Sequence, residues 1–277
     1  MENQFDLTGR VAVITGGAGA LGSAMTWGLA RAGAAVAVLE RRAEKADALA
    51  AAINVEGLRA IGIHADVTDK AALESAAAAV EAAFGVVDIL VNAAGGNQPT
   101  ATAQPVGTPN GRTFFDLTPD ALSDVMNLNW IGTLLPSQIF GWGMAARGRG
   151  CIINISSAAS LRPLTRVVGY ASAKAAVNNF TQWLAVTMAH EYNPAIRVNA
   201  IAPGFFMGEQ NRYLLMDAET GELTARGRQI IDHTPMARFG DPDDLVGALL
   251  WLVSDSARFV TGIVLPVDGG FSAYSGV

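Results

Sequence analysis

The stretch VAVITGGAGALG, residues 11–22, decides the fold. A short apolar, β-branched run ends at Thr15, glycines follow at once, and a helical pattern starts near residue 21. Gly17-x-Gly19-x-x-Gly22 therefore falls between a buried strand and a helix, the context in which a glycine turn can cradle a pyrophosphate. Glycine lets the backbone approach the phosphates, and the first helical turn aims N–H donors and the positive end of its dipole at them. Gly16, Gly17, Gly19, Ala20, Leu21 and Gly22 are accordingly candidate cofactor-binding residues.

Working outward, the strand–helix alternation continues to the end of the chain. Strand candidates are VAVIT (11–15), AVAVLE (35–40), RAIGIHADV (59–67), DILVNAAG (88–95), CIINISS (151–157), IRVNAIAPG (196–204) and IVLPVDGG (263–270). Helical patterns cover 21–32, 44–56, 69–84, 118–147, 170–191 and 241–254, with Thr118-Pro119 and Asp241-Pro242 reading as helix starts. Repeated βαβ units with near-continuous apolar strands predict an α/β, single-domain, doubly wound (Rossmann) fold over 1–277, its seven-stranded parallel sheet flanked by helices. Two segments, 96–117 and 205–240, break the rhythm. Both leave the carboxyl ends of strands, where such sheets bind ligands, so both are candidate substrate loops.

Composition narrows the function. The chain has 277 residues, is 51% hydrophobic and carries a net charge of −6, a balance that argues against a nucleic-acid partner. No apolar run is long enough for a membrane span, the opening MENQFDLTGR is too polar for a secretory signal, and a cytoplasmic location is expected. The lone Cys151, within a strand pattern, reads as a small core residue. His64, His190 and His233 have no metal-ligand spacing, so no metal site is expected.

At the second strand's end, Glu40 stands where a carboxylate can accept from the adenosine ribose of NAD, while Arg41 beside it leaves NADP open. Asp66 and Val67 end the third strand pattern, and Asn92, Ala93, Ala94 and Gly95 end the fourth, as further cofactor candidates. At 170–174 the sequence reads YASAK. Of 19 Lys plus Arg only Lys45, Lys70 and Lys174 are lysines, so a lysine one helical turn from Tyr170 invites a chemical reason. An ammonium there would lower the tyrosine pKa toward the neutral range. The same helix should bury Ala173, Ala176, Val177, Phe180, Leu184 and Met188 along one face.

The glycine turn, NAAG (92–95), Ser157 thirteen residues before Tyr170, and YASAK occur in an order that resembles the short-chain dehydrogenase/reductase family over essentially the whole chain. The resemblance implies an NAD(P)-dependent oxidoreductase that interconverts a ketone and a secondary alcohol. Tyr170 would be its general acid/base, Lys174 would hold the nicotinamide ribose and tune Tyr170, and Ser157 would bind the substrate oxygen. Asn129, in DVMNLNWIGT, would anchor a proton-relaying water. It also implies that Pro203, Gly204 and Phe206 border the nicotinamide, and that the protein forms homotetramers. Two positions depart from the pattern: Ala20 replaces a glycine of the turn, and Gly208 stands where the family carries a threonine.

NAAGGN, LRPLTR, PGFF, EQNR, HTPMARFG and the GGFSAYSGV tail resemble the D-mannonate oxidoreductase (fructuronate reductase) branch of the family. This likeness implies a small-molecule sugar-acid partner, D-fructuronate or D-mannonate, with another sugar acid, a polyol or a 3-oxoacyl group as the alternative, and a cofactor-binding regulatory protein without turnover as the reading from a different class. Asn97, Arg162, Gln210, Asn211 and Arg212, together with Arg166, would then supply donors to the substrate alongside Ser157 and Tyr170.

Overall fold

A computed structural model describes residues 4–208, 212, 215–218 and 220–276. Its centre is one seven-stranded, wholly parallel sheet in the order β3-β2-β1-β4-β5-β6-β7. The strands are β1 (Val11–Thr15), β2 (Ala35–Glu40), β3 (Ala60–His64), β4 (Ile89–Asn92), β5 (Gly150–Ile155), β6 (Ile196–Pro203) and β7 (Val264–Val267). Order reverses between β1 and β4, and ligands of such sheets lie beyond the carboxyl ends at that switch.

The strands are buried on both faces because side chains alternate between two helical layers. Ile14, Val38, Val91 and Ile153 point to one layer, where α1 (Ala20–Arg31), α2 (Ala43–Val55) and α7 (Val246–Val253) contribute Met25, Leu29, Ile53, Leu249 and Leu252. Val13, Leu39, Leu90 and Ile152 point to the other, against Leu73 and Val80 of α3 (Lys70–Phe84), Phe140 and Met144 of α5 (Gly132–Arg147) and Ala185 near the end of α6 (Val168–Thr187). Cys151 is buried in the first layer. Among the described residues no helix is long and apolar enough to cross a membrane.

Several sequence boundaries move. The third strand stops at His64 and the fourth at Asn92, so Asp66, Val67 and Ala93 to Gly95 lie in the connections beyond them. The helical pattern at 118–147 is three pieces: α4 (Pro119–Met126), a π-helical turn Asn127–Ile131, and α5. A second π turn, Met188–Tyr192, ends α6, and the pattern at 241–254 begins as a 3-10 turn, Pro242–Leu245. The caps read from sequence are present: Thr118 Oγ1 accepts from Ala121 N at 3.3 Å and Asp241 Oδ1 from Asp243 N at 3.0 Å. The buried face of α6 runs through Ala173, Val177, Thr181 and Ala185, whereas Ala176, Phe180 and Leu184 are half-buried. Thr181 displaced the expected stripe because its hydroxyl is needed inside, as shown below.

Candidate active site

The glycine turn has little room for side chains. Gly16 has φ +62°, and a Cβ there would lie 2.8 Å from Ala94 Cα; one on Gly22 would lie 2.1 Å from the Gly16 oxygen. Thr15 Oγ1 accepts from both Ala93 N and Ala94 N at 3.1 Å, fastening the segment after β4 to the turn after β1. α1 begins at Ala20 behind Gly19, which offers no side-chain acceptor, so its first amides keep their donors for a ligand. This bare, positively polarised helix end fits a pyrophosphate. Gly17 packs on Ile14 and receives a bond from Thr26 Oγ1 to its carbonyl at 3.0 Å, while Leu21 packs at the rim of the core.

Glu40, half-buried, closes β2, and Arg41 N donates to its Oε1 at 3.2 Å. Asp66 Oδ1 accepts from Thr68 Oγ1 at 2.6 Å and Thr68 N at 2.8 Å, and these bonds hold the Asp66 carboxyl below its usual pKa. Val67 is buried against Gly132. At the inner end, a Cβ on Gly95 would fall 2.6 Å from Asn129 Oδ1 and 3.2 Å from Lys174 Nζ, so glycine alone leaves these two side chains undisturbed. Pro203 ends β6, and Gly204 N donates to the Val267 carbonyl at 3.0 Å.

Asn92 needs correction as a cofactor ligand through its side chain. It shares Leu90's face of β4, pointing under α5 and α6, where its Nδ2 donates to Ser137 Oγ and to Asn154 Oδ1, both at 2.9 Å. Asn154 Nδ2 continues to Thr181 Oγ1 at 2.9 Å. Strand parity turns Asn92 inward, and the resulting ladder ties β4, β5, α5 and α6 together.

The four candidate catalytic residues converge above β4 and β5. Ser157 begins the 3-10 turn Ala158–Ser160, its Oγ accepting from Ala159 N at 3.1 Å. Its side chain also stands close enough to Tyr170 to lower the tyrosine pKa. Lys174 is 4% exposed; its Nζ donates to the Ile155 carbonyl at 2.7 Å and stands 5.8 Å from the Tyr170 ring centre. Asn129, fully buried within the π turn, donates from Nδ2 to the Gly96 and Val125 carbonyls at 2.7 and 2.8 Å and accepts from Gly96 N at 3.1 Å. The π turn presents Asn129 toward the segment after β4, a use such bulges commonly have at functional sites.

Electrostatics reverse one expectation. Tyr170 packs against the cluster of Ala101, Ala121 and Val125, and its burial raises its pKa; Ser157 lowers it by less. Lys174 is not the controlling influence on the tyrosine. Burial also pulls the Lys174 pKa down to about 8, because desolvation penalises the ammonium.

The substrate candidates separate. Asn97 is exposed, with Nδ2 on Thr102 Oγ1 at 2.7 Å. Arg162, exposed, donates from Nε to the Ser272 carbonyl at 3.0 Å and so also fastens the carboxyl-terminal tail. Phe206 is buried, with its ring packed on Gly240, where a Cβ would meet it at 2.6 Å, and it lines a cavity together with Phe205, Val267 and Asp268. Arg212 is exposed, whereas Gln210 and Asn211 lie outside the described residues. His233 packs its ring on Phe271 and Tyr274 of the tail.

Sequence reasoning missed the support of the site. Ser156 Oγ bonds Asn178 Oδ1 at 2.5 Å and Ser160 Oγ at 3.0 Å, and Asn178 Nδ2 donates to Ser160 Oγ at 2.8 Å. This triangle pins the turn carrying Ser157 to the helix carrying Tyr170 and Lys174. Asn178 lies one turn beyond Lys174, a spacing visible in the sequence, but its partner came from another strand.

A glycine turn under a bare helix end, joined to a Ser-Tyr-Lys cluster at the same rim, defines a nucleotide-dependent oxidoreductase. The chain belongs to the short chain dehydrogenase family, whose model matches residues 10–217, and is thus an NAD(P)-dependent enzyme acting on CH–OH groups. It is 47% identical to an uncharacterized oxidoreductase, UxuB, of Bacillus subtilis, with 98% of each chain covered. A Haemophilus influenzae structure with bound NAD, provisionally described as a D-mannonate oxidoreductase, is 44% identical, with a TM-score of 0.92 over 98% of both chains. A gluconate 5-dehydrogenase from Burkholderia cenocepacia, in complex with NADP and tartrate, is 35% identical, with a TM-score of 0.85 over 98% of both chains.

Proposed function

We propose that this protein reversibly reduces the ketone of a sugar acid, with D-fructuronate and D-mannonate as the substrate pair, NAD as the preferred cofactor and NADP as the second. One observation carries the reading: Ser157, Tyr170 and Lys174 meet beside Gly95 and Asn129 at the mouth of the phosphate-fitting turn. When bound, the nicotinamide supplies or accepts the hydride at the substrate carbon. In the reducing direction Tyr170 gives its proton to the carbonyl oxygen as the C=O π bond breaks. Ser157 donates to the same oxygen and steadies the charge that develops there. The raised Tyr170 pKa keeps the phenol protonated and ready as the acid. Lys174, an ammonium at neutral pH, stabilises the tyrosinate left behind and offers donors to the ribose hydroxyls. Asn129 holds Gly96 and so fixes the backbone facing Lys174.

Bare first amides on α1 and the carboxylate of Glu40 support a dinucleotide with a free ribose 2′-hydroxyl. The segments 96–117 and 205–240 would enclose the substrate. The exposed Trp142 on α5 and Trp183 and Val186 on α6 offer apolar surface for assembly, consistent with a homotetramer. The direct test follows NADH and NADPH oxidation in parallel with D-fructuronate, 5-keto-D-gluconate and a 3-oxoacyl ester. Turnover confined to the acyl ester would overturn the sugar-acid reading.

A further inference from the structure

The hydrogen bonds that close the turn after β5 onto α6 run in one fixed sense. Ser156, 2% exposed, follows the last residue of β5, and its Oγ lies 2.5 Å from Asn178 Oδ1, 3.0 Å from Ser160 Oγ and 3.4 Å from the Lys174 carbonyl. Asn178, half-buried on α6, donates from Nδ2 to Ser160 Oγ at 2.8 Å. Ser160 Oγ in turn donates to the Ser157 carbonyl at 2.5 Å.

Each hydroxyl has a single proton to give, and this decides the direction. The Ser157 carbonyl can only accept, so the Ser160 proton points to it. Ser160 Oγ is then the acceptor for Asn178 Nδ2, and Asn178 Oδ1 is the acceptor for the Ser156 hydroxyl. The chain therefore runs from Ser156 through Asn178 and Ser160 to the peptide of Ser157. Position 178 must supply one donor and one acceptor on a short side chain, which an asparagine amide does. A carboxylate there has no donor and would draw the Ser160 proton to itself.

α6 carries Tyr170, Lys174 and Asn178 four residues apart, on one face. Lys174 Nζ donates to the Ile155 carbonyl at 2.7 Å and so registers the helix against the strand end. Asn178 registers it against the next residues, Ser156 and Ser160, on either side of Ser157. The Ser157 Oγ accepts from Ala159 N within that same turn, so a rotation of the Ser157 peptide would carry the hydroxyl with it. Asn179, the neighbour of Asn178, is exposed.

We propose that Asn178 is a positioning residue for carbonyl reduction: acting through Ser160, it holds the Ser157 hydroxyl in register with Tyr170 and so sets kcat from outside the reacting groups. The proposal rests on the reading of Ser157 and Tyr170 as the groups at the substrate oxygen, and a double-mutant cycle separates the two.

Steady-state kinetics with NADH use whichever of D-fructuronate, 5-keto-D-gluconate and the 3-oxoacyl ester wild type reduces. Wild type is compared with Ser157→Ala, Asn178→Ala, Asn178→Asp, Asn179→Ala and the double variant Ser157→Ala with Asn178→Ala. Removing a donor to the developing oxyanion costs about 100- to 1,000-fold in kcat, the loss expected for Ser157→Ala. Displacing that donor costs less, so Asn178→Ala should lose about 10- to 100-fold in kcat while KM stays within about threefold. Asn178→Asp should fall as far despite its equal size, and Asn179→Ala should match wild type. In the Ser157→Ala background, Asn178→Ala should cost less than about threefold, because the group it positions is gone.

An equal loss in both backgrounds overturns the proposal, since a merely structural role is indifferent to Ser157. So does an unchanged kcat in Asn178→Ala, or a parallel loss of NADH affinity, which would place the effect on α6 as a whole. Full activity in Ser157→Ala instead overturns the reading of Ser157 itself. Hydrogen exchange in the cofactor-free protein reads the turn without turnover: the Ser160 and Leu161 amides should exchange about tenfold faster in Asn178→Ala. Unchanged exchange there also overturns the proposal.

Discussion

Lys174 Nζ lies 2.7 Å from the carbonyl oxygen of Ile155, the last residue of β5. The ammonium is thus anchored to the strand end that leads into Ser157, which links the proton site to the substrate-oxygen site through two residues of backbone. An arginine could not be compact enough to replace it in this space.

Tyr170→Phe should lower kcat by about 100- to 10,000-fold, the usual scale for a general acid–base group. NADH affinity, read by fluorescence titration, should stay within about twofold of wild type. Retained turnover would remove Tyr170 from the proton transfer.

Lys174 makes stability depend on alkaline pH. Its folded pKa, about 8, is below the value of 10.5 for an unburied lysine. Between these values the unfolded chain binds more protons, so stability rises with pH. Between pH 8 and 9.5 this contributes about 2 kcal/mol to wild type. Lys174→Met should lack that rise. Urea unfolding at the two pH values, compared between the two proteins, reads the difference.

Gly95→Ala should impair chemistry without unfolding the chain. Its new methyl must displace Asn129 Oδ1 and crowd Lys174 Nζ, and a shift of about 1 Å in a catalytic group can cost about 100-fold in rate. The expected result is a kcat reduced at least about tenfold with a thermal midpoint near wild type. A kcat equal to wild type would show that the two side chains relax at no catalytic cost.

Asn154→Ala breaks the interior ladder at its centre, leaving Asn92 Nδ2 short of one acceptor and Thr181 Oγ1 short of one donor. Each orphaned buried group costs about 1–3 kcal/mol, so destabilisation of about 2–5 kcal/mol is expected from chemical denaturation. A loss below about 1 kcal/mol would mean that the ladder contributes little to holding α6 on the sheet.

Much of this was legible in the chain. β1 and β2 are short apolar runs with an unbroken β pattern, and both have the boundaries read for them. The glycine turn announces itself because a strand, a helix and three spaced glycines lie within twelve residues. The Tyr170 and Lys174 pair is likewise local, since helical geometry alone puts positions four apart on one face. By contrast, no local pattern marks the Asn127–Ile131 π turn, whose register depends on what Asn129 must reach across the fold.

The sequence by itself determined the order of elements, the two-faced burial of the strands and the residues able to bind phosphate and move a proton. These follow from periodicity and from side-chain chemistry, which act over a few residues. Tertiary structure alone decided where shared polar groups point. It turned Asn92 toward Ser137 and Asn154 and fastened Arg162 to the tail at Ser272, across about 110 residues of chain. It also fixed the direction of the Tyr170 shift: desolvation depends on the surrounding packing, and here burial beside Ala101, Ala121 and Val125 outweighs the influence of Ser157.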